Sequence, residues 1–104
     1  MEEKISRDDL VKIYKIEISF FDQLEESGLI RPQVQNNIKY LLFDDLAYFE
    51  KLTAWHYDLD VNIAGLEVID HLLQTIKQLQ AERRKLAQNF SESMGHYEDI
   101  EDLI

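Results

Sequence analysis

The chain has 104 residues, 45% of them hydrophobic, and 21 acidic against 11 basic side chains give it a formal net charge of −10. Its length suits one domain, or a small domain with an oligomerisation element, and the absence of cysteine excludes disulfides, thiol catalysis and cysteine-ligated zinc. DNA carries one phosphate charge per ~1.7 Å of its axis, so nucleic acid and anionic membranes repel such a chain.

The charge is unevenly distributed along the chain. Residues 1–60 carry seven basic and thirteen acidic groups. Residues 61–90 carry four basic and three acidic groups, and residues 91–104 carry five acidic groups and no basic one. The negative electrostatic field that this excess of acidic groups produces favours a basic partner. No stretch approaches the ~20 apolar residues that span a bilayer. The charged start MEEKISRDDL lacks the apolar segment of a signal peptide, so we expect a cytoplasmic protein.

Two short helices are predicted first. Ser6, with an acid three residues later, caps a helix over residues 7–14. A second helix over residues 18–27 ends before Gly28, a residue type suited to the left-handed conformation beyond a helix end. The spacing of the apolar residues predicts the buried faces of these helices. These faces comprise Leu10, Ile13, Tyr14, Phe21 and Leu24.

A short β wing follows. Pro32 biases the residue before it towards extended geometry. The β-rich run over residues 38–43 predicts a strand that pairs near Ile30 or Val34. A third helix is predicted over residues 44–57, since two acids at its start favour the positive end of the helix dipole. Its buried stripe comprises Leu46, Phe49, Leu52 and Trp55.

A long fourth helix is predicted after Asn62, which can cap it, and it extends to about residue 90. Its apolar residues alternate spacings of three and four, the pattern of a coiled-coil seam. Burying such a seam requires a second copy or another protein, so we predict a homodimer. The acidic residues that follow are predicted to be flexible. The seam comprises Ile69, Leu72, Ile76, Leu79, the charged Arg83, Leu86 and Phe90.

Two segments of the chain resemble MerR-type regulators. Residues 18–32 contain a Gly-Leu-Ile-x-Pro run similar to the one that follows the second helix of those proteins, and residues 40–49 resemble their wing and next helix. The resemblance covers residues 5–90 and implies a mainly α fold, a MerR-like winged helix-turn-helix with a short β wing and a long C-terminal dimerisation helix. The predicted parts are a winged helix-turn-helix-like domain at 1–60, a coiled-coil-type helix at 61–90 and an acidic tail at 91–104.

Within that superfamily the chain most resembles the chaperone modulators of the CbpM type. The similar segments are Phe-Asp-Asp at residues 43–45, IAGLEV at residues 63–68 and KQLQAE at residues 77–82. Proteins of this type bind the J-domain of a DnaJ-like co-chaperone, the curved-DNA-binding protein A type, and restrain its action on Hsp70. The resemblance therefore implies a non-enzymatic chaperone modulator with a J-domain partner.

The second helix departs from the DNA-binding pattern. MerR-type regulators place Arg and Tyr there, whereas this chain has Ser-Phe-Phe-Asp at residues 19–22, two glutamates after it, and only Lys39 as a basic residue in the wing. A J-domain presents a basic helix to Hsp70, which an acidic surface complements. We predict no contact with nucleic acid. The alternative is a MerR-family DNA-binding transcriptional regulator that uses the second helix in the major groove.

The predicted partner-binding surface combines acids with an aromatic anchor. Exposed carboxylates steer association, whereas binding energy concentrates in a few desolvated side chains. Phe20 is the candidate anchor because it adjoins the buried Phe21 and should point in another direction. Core packing is an equal alternative for Phe20. For the acids, the alternative is that they form a solvated face without a partner. The surface comprises Phe20, Asp22, Glu25, Glu26, Asp44 and Asp45.

No catalytic or metal-binding constellation is apparent. Glu67 and His71 are spaced i, i+4, but one such pair has too few ligands for a metal site. Three isolated glycines do not form a phosphate-binding loop. We predict no enzyme activity, no metal, no cofactor and no small-molecule substrate. The basic cluster at residues 83–85 is predicted to flank the seam.

Overall fold

The computed structural model describes residues 3–94, which form a mainly α-helical fold with a small antiparallel sheet. This confirms the predicted fold class, with its short β wing and long C-terminal helix. Two compact units are distinguished, Met1–Ile69 and Asp70–Ile104. The elements in chain order are β1 (Lys4–Ser6), α1 (Arg7–Tyr14), α2 (Ile18–Glu26), β2 (Gln33–Gln35), β3 (Ile38–Leu42), a 3₁₀ turn (Phe43–Asp45), α3 (Leu46–Leu59) and α4 (Ile63–Met94).

Helix α1 begins and ends as its sequence predicts. The Ser6 hydroxyl accepts a hydrogen bond from the Asp9 N–H at 3.1 Å, which satisfies one of the free amides of the first turn. The prediction that Ile13 is buried is wrong, since it is 62% exposed. The core-facing stripe of α1 lies between Leu10 and Val11, and Ile13 is turned roughly 100° from the centre of that stripe.

Helix α2 is followed by a left-handed glycine, as predicted. Gly28 has φ +79°, a conformation that glycine adopts without a Cβ clash. The turn lets the Leu29 N–H donate to the Leu24 carbonyl at 2.9 Å and returns two apolar residues, Leu29 and Ile30, to the core. Phe21 is fully buried there, as is Leu24.

The sheet has the strand order β1-β3-β2, and both pairings are antiparallel. Asn36 and Asn37, with φ 52° and 63°, connect β2 to β3, as in a type I′ hairpin turn. Val34 pairs with Lys39, which confirms the pairing predicted near Val34. Sequence analysis missed β1, because a three-residue strand next to a helix cap has too short a pattern to recognise.

Helix α3 begins two residues later than predicted, because Phe43–Asp45 forms a separate 3₁₀ turn. Its stripe is as expected: Phe49 and Leu52 are fully buried. Asp60, with φ 57°, ends the helix. Asn62 caps α4 as predicted, since its Oδ1 accepts from the Gly65 N–H at 2.8 Å.

The first unit, Met1–Ile69, encloses the hydrophobic core. Helices α1, α2 and α3, the central strand β3 and the first turn of α4 all supply buried side chains to it. Helix α4 extends to Met94, beyond the predicted end near residue 90. Of the predicted acidic tail, residues 95–104 lie outside the described residues. The core comprises Leu10, Ile16, Phe20, Phe21, Leu24, Leu29, Ile30, Leu41, Phe49, Leu52 and Leu66.

Candidate functional site

The predicted site residues of α2 differ in their surroundings. The Asp22 carboxylate lies 3.3 Å from the Arg7 guanidinium, and the Glu25 carboxylate accepts a hydrogen bond from Lys39 at 2.5 Å. These pairs join α2 to α1 and to β3. Two acids of α2 are therefore neutralised within the domain, together with the basic groups that approach them.

The other predicted acids stand apart from such pairs. Glu26, Asp44 and Asp45 are exposed, and within residues 3–94 no ion pair involves them. Glu26 lies in the last turn of α2, whereas Asp44 and Asp45 belong to the 3₁₀ turn. Their carboxylates are consequently available to a basic partner.

Phe20 is a core residue, which corrects the prediction that it is an exposed anchor. Only 2% of its surface is accessible. Its ring stacks on His56, with centroids 4.4 Å apart and planes at 13°, and meets the edge of Tyr57 at 5.2 Å. The C-terminal end of α3 thus covers the part of α2 from which Phe20 projects. A partner would have to displace α3 to reach this ring.

The two aromatic residues that cover Phe20 are themselves fixed by hydrogen bonds. His56 Nδ1 lies 2.7 Å from the Val61 carbonyl oxygen, so Nδ1 carries the proton and donates, since a carbonyl only accepts. The Tyr57 hydroxyl accepts from the Glu17 N–H at 3.1 Å. The first contact joins the end of α3 to the loop before α4, and the second holds it against the turn before α2.

An exposed aromatic residue does occur next to the acids, at Phe43. Its side chain is 46% exposed. It lines a surface depression of about 250 Å³ together with Glu3, Leu42 and Asp44. From the sequence, Phe43 was assigned to the wing and the start of the next helix and was not named as a candidate anchor. The available signal was an aromatic residue directly after a strand and directly before two aspartates.

The predicted seam residues of the second unit share one exposed stripe of α4. Their accessible fractions run from 46% at Phe90 to 70% at Leu86. Ile69, at the end of the first unit, is half-buried. Arg83 and the two basic residues that follow it are also exposed. The exposed seam residues of the second unit are Leu72, Ile76, Leu79, Leu86 and Phe90.

Within residues 3–94, no three His, Cys, Asp or Glu side chains come together as a metal ion would need. In the same part of the chain, no helix combines the length and apolar character that crossing a bilayer demands.

Comparison with known proteins identifies one family. A family model described as MerR HTH family regulatory protein matches residues 5–88. The match runs from β1 through the helix-turn-helix and the β hairpin into α4. Neither the curated proteins nor the solved structures gave a match.

Proposed function

The chain belongs to the MerR HTH family of regulatory proteins, and within that family we propose that it is a non-enzymatic chaperone modulator. It binds the J-domain of a DnaJ-like co-chaperone, of the curved-DNA-binding protein A type, and inhibits the action of that co-chaperone with Hsp70. The proposal takes up the resemblance to the CbpM type. The observation that carries it is the charge of α2, the helix that a DNA-binding member would insert into the major groove.

Helix α2 is poorly suited to DNA. It contains no basic residue and three acidic ones. The nearby basic groups of Arg7 and Lys39 already pair with Asp22 and Glu25 of the same helix. Since DNA affinity depends on cations that neutralise phosphates, this surface supports a protein partner with a basic face.

Inhibition follows from occlusion. A J-domain presents a basic helix to Hsp70, and a domain that covers this helix blocks its approach. Glu26, Asp44 and Asp45 are exposed and outside the ion pairs of the described residues, so they are free to steer such a partner. Exposed charges of this kind speed the association of two proteins, and their effect weakens as the salt concentration rises. We place this interaction in the cytoplasm.

A homodimer formed through α4 is part of the proposal. Two observations support the homodimer: the seam on the second unit is exposed, and its residues follow heptad spacing. An exposed apolar stripe of this length costs solvation free energy that a second copy of the helix recovers. Dimerisation would also give the modulator two copies of each partner surface.

The alternative is a DNA-binding transcriptional regulator. The description of the family, MerR HTH family regulatory protein, is compatible with both functions. It requires a positive potential around α2 and the hairpin that reads the groove and the backbone. The ion pairs of Arg7 and Lys39 count against that requirement.

Calorimetry tests the choice between the two functions. The full chain is titrated against the J-domain of a DnaJ-like co-chaperone from the same organism, at low and at moderate salt. We expect saturable binding that weakens as salt rises, together with loss of J-domain stimulation of Hsp70 ATPase activity. A random-sequence DNA selection runs in parallel. Absence of J-domain binding at low salt, or recovery of one specific duplex, would contradict the modulator function.

A further inference from the structure

We propose that the outer face of the sheet and Phe43 form the docking surface for the partner, and that the docked element is a basic amphipathic helix. This inference rests on the proposed function and deepens it, since it assigns the binding surface and the anchor. The outer sheet face is defined here by Ile38, Tyr40 and Leu42, the residues of β3 that alternate with the buried Leu41.

The two faces of the sheet are distinguished by strand alternation. Successive side chains point to opposite faces of a strand. Leu41 is fully buried in the core, and Ile5, its partner on β1, packs against the same core. Ile38, Tyr40 and Leu42 therefore belong to the opposite face.

This outer face offers apolar surface to a partner. Ile38 is 44% exposed, and Tyr40 and Leu42 are half-buried. The face continues at one end into the depression that Leu42 and Phe43 line. Backbone contact fixes that end, because the Phe43 N–H donates to the Glu3 carbonyl at 3.0 Å. A single apolar side chain of a partner can enter the depression beside Phe43.

The charges around the surface select the partner. Glu3, Asp44 and Asp45 are exposed around the depression or beside it. Lys4, the one basic residue of β1, places its ammonium group 4.7 Å from the centre of the Tyr40 ring and bonds to the Gln35 side chain. Its charge is thereby held over the sheet, while the end at Phe43 stays acidic. Phosphate-bearing ligands are repelled, and lysine or arginine side chains are attracted.

A helix fits this surface better than an added strand. The edge strands β1 and β2 have three residues each, too few for an extended ladder with a partner strand. An amphipathic helix instead lays apolar side chains spaced three or four residues apart across an apolar surface. Flanking lysines or arginines on such a helix meet Glu3, Asp44 and Asp45.

Substitution of Phe43 tests the inference with the J-domain as the probe. We expect Phe43→Ala to raise the Kd measured by calorimetry about tenfold or more, since truncation of an aromatic anchor that packs against a partner has effects of this size. We expect Asp44→Asn with Asp45→Asn to reduce the salt dependence of binding. Val34→Ala is the matched control: Val34 is 60% exposed, but it pairs with Lys39 on the other face of the hairpin.

The outcomes separate the two proposals. If the wild-type chain does not bind the J-domain, the proposed function fails and this inference falls with it. If the wild type binds and Phe43→Ala binds as tightly as Val34→Ala, only the docking surface is overturned. Amide shifts of the wild-type chain during the same titration provide an independent measurement should Phe43→Ala fold poorly. Changes centred on residues 38–45 support the surface, and changes confined to other elements overturn it.

Discussion

The Tyr14 hydroxyl donates a hydrogen bond to the Glu50 carboxylate at an oxygen-to-oxygen distance of 2.5 Å and so ties the end of α1 to α3. The Tyr14 ring also meets Phe49 edge-on, with centroids 5.6 Å apart. Burial, the hydrogen bond to Glu50 and the negative charge of Glu50 together raise the pKa of Tyr14 to about 12. One side chain thus combines a core contact with a titratable link between two helices.

Loss of this link is expected at alkaline pH. The folded-state pKa of Tyr14 lies above its unfolded value of 10.0. The contribution of Tyr14 to stability is therefore complete below pH 10 and is lost as the pH rises through about 12. Urea unfolding of wild type and Tyr14→Phe should converge over this range, since phenylalanine keeps the ring packing but removes the proton. A constant difference in unfolding free energy across that range would contradict the assignment.

Truncation of Phe20 should destabilise the fold far more than truncation of Phe43, since only Phe20 is buried in the core. Phe20→Ala removes a fully packed ring, which typically costs ~3–5 kcal/mol of unfolding free energy. Phe43→Ala truncates a side chain that is already half in water, and we expect a cost of about 1 kcal/mol or less. Urea unfolding of both variants measures the difference. Equal costs would contradict the placement of one ring in the core and the other at the surface.

The sequence predicts elements well where its signal is local. The cap at Ser6, the glycine at Gly28 and the cap at Asn62 each act within a few residues, and all three appear in the structure. Phe20 was misjudged because its burial depends on His56 and Tyr57, which are more than thirty residues away in sequence.

The candidate site was predicted less completely, for the same physical reason. The carboxylates of α2 are visible in the sequence as an acidic run. Their ion pairs with Arg7 and Lys39 are tertiary contacts between separate elements. The spacing of residues along the sequence does not reveal such contacts. Strand alternation from Leu41 defines the outer sheet face only once the core has been located. The mutual arrangement of side chains from separate elements was thus the part that sequence analysis missed.

Removing the acids that pair with Arg7 and Lys39 should raise the affinity of the helix-turn-helix for DNA. Asp22→Asn with Glu25→Gln removes two negative charges, frees Lys39 from its ion pair and leaves Arg7 with only its contact to Asp8 at 3.6 Å. We expect higher affinity for a random duplex at low salt, measured by fluorescence anisotropy, with a steeper salt dependence because more phosphate contacts form. As the control, Asp58→Asn with Glu67→Gln changes the net charge equally at two exposed positions away from these ion pairs. Identical gains in the two double variants would show that net charge alone decides, against a specific role of the ion pairs.

Gly28 should tolerate asparagine better than alanine. No atom beyond Gly28 and its two chain neighbours lies within 4 Å of the position that a Cβ would take, so the cost of substitution comes from the backbone, with φ at +79°. Left-handed geometry costs an L-residue roughly 1–2 kcal/mol, and asparagine adopts it more readily than alanine. We expect Gly28→Ala to lower the unfolding free energy by about that amount and Gly28→Asn to lower it less. An unchanged stability for Gly28→Ala would contradict the backbone argument.

Substitutions in the seam on α4 test the proposed homodimer. Leu79→Asp places a charge at a core position of the heptad pattern, and burial of an unpaired carboxylate opposes association. Ala81→Asp adds the same charge two residues away, at the heptad position opposite the seam. Because both residues are exposed in the single chain, neither change should unfold the first unit, which circular dichroism checks. Sedimentation equilibrium should then show a dimer for wild type and Ala81→Asp and a monomer for Leu79→Asp. If the wild type sediments as a monomer, or if both variants dissociate alike, another surface or another protein covers the seam.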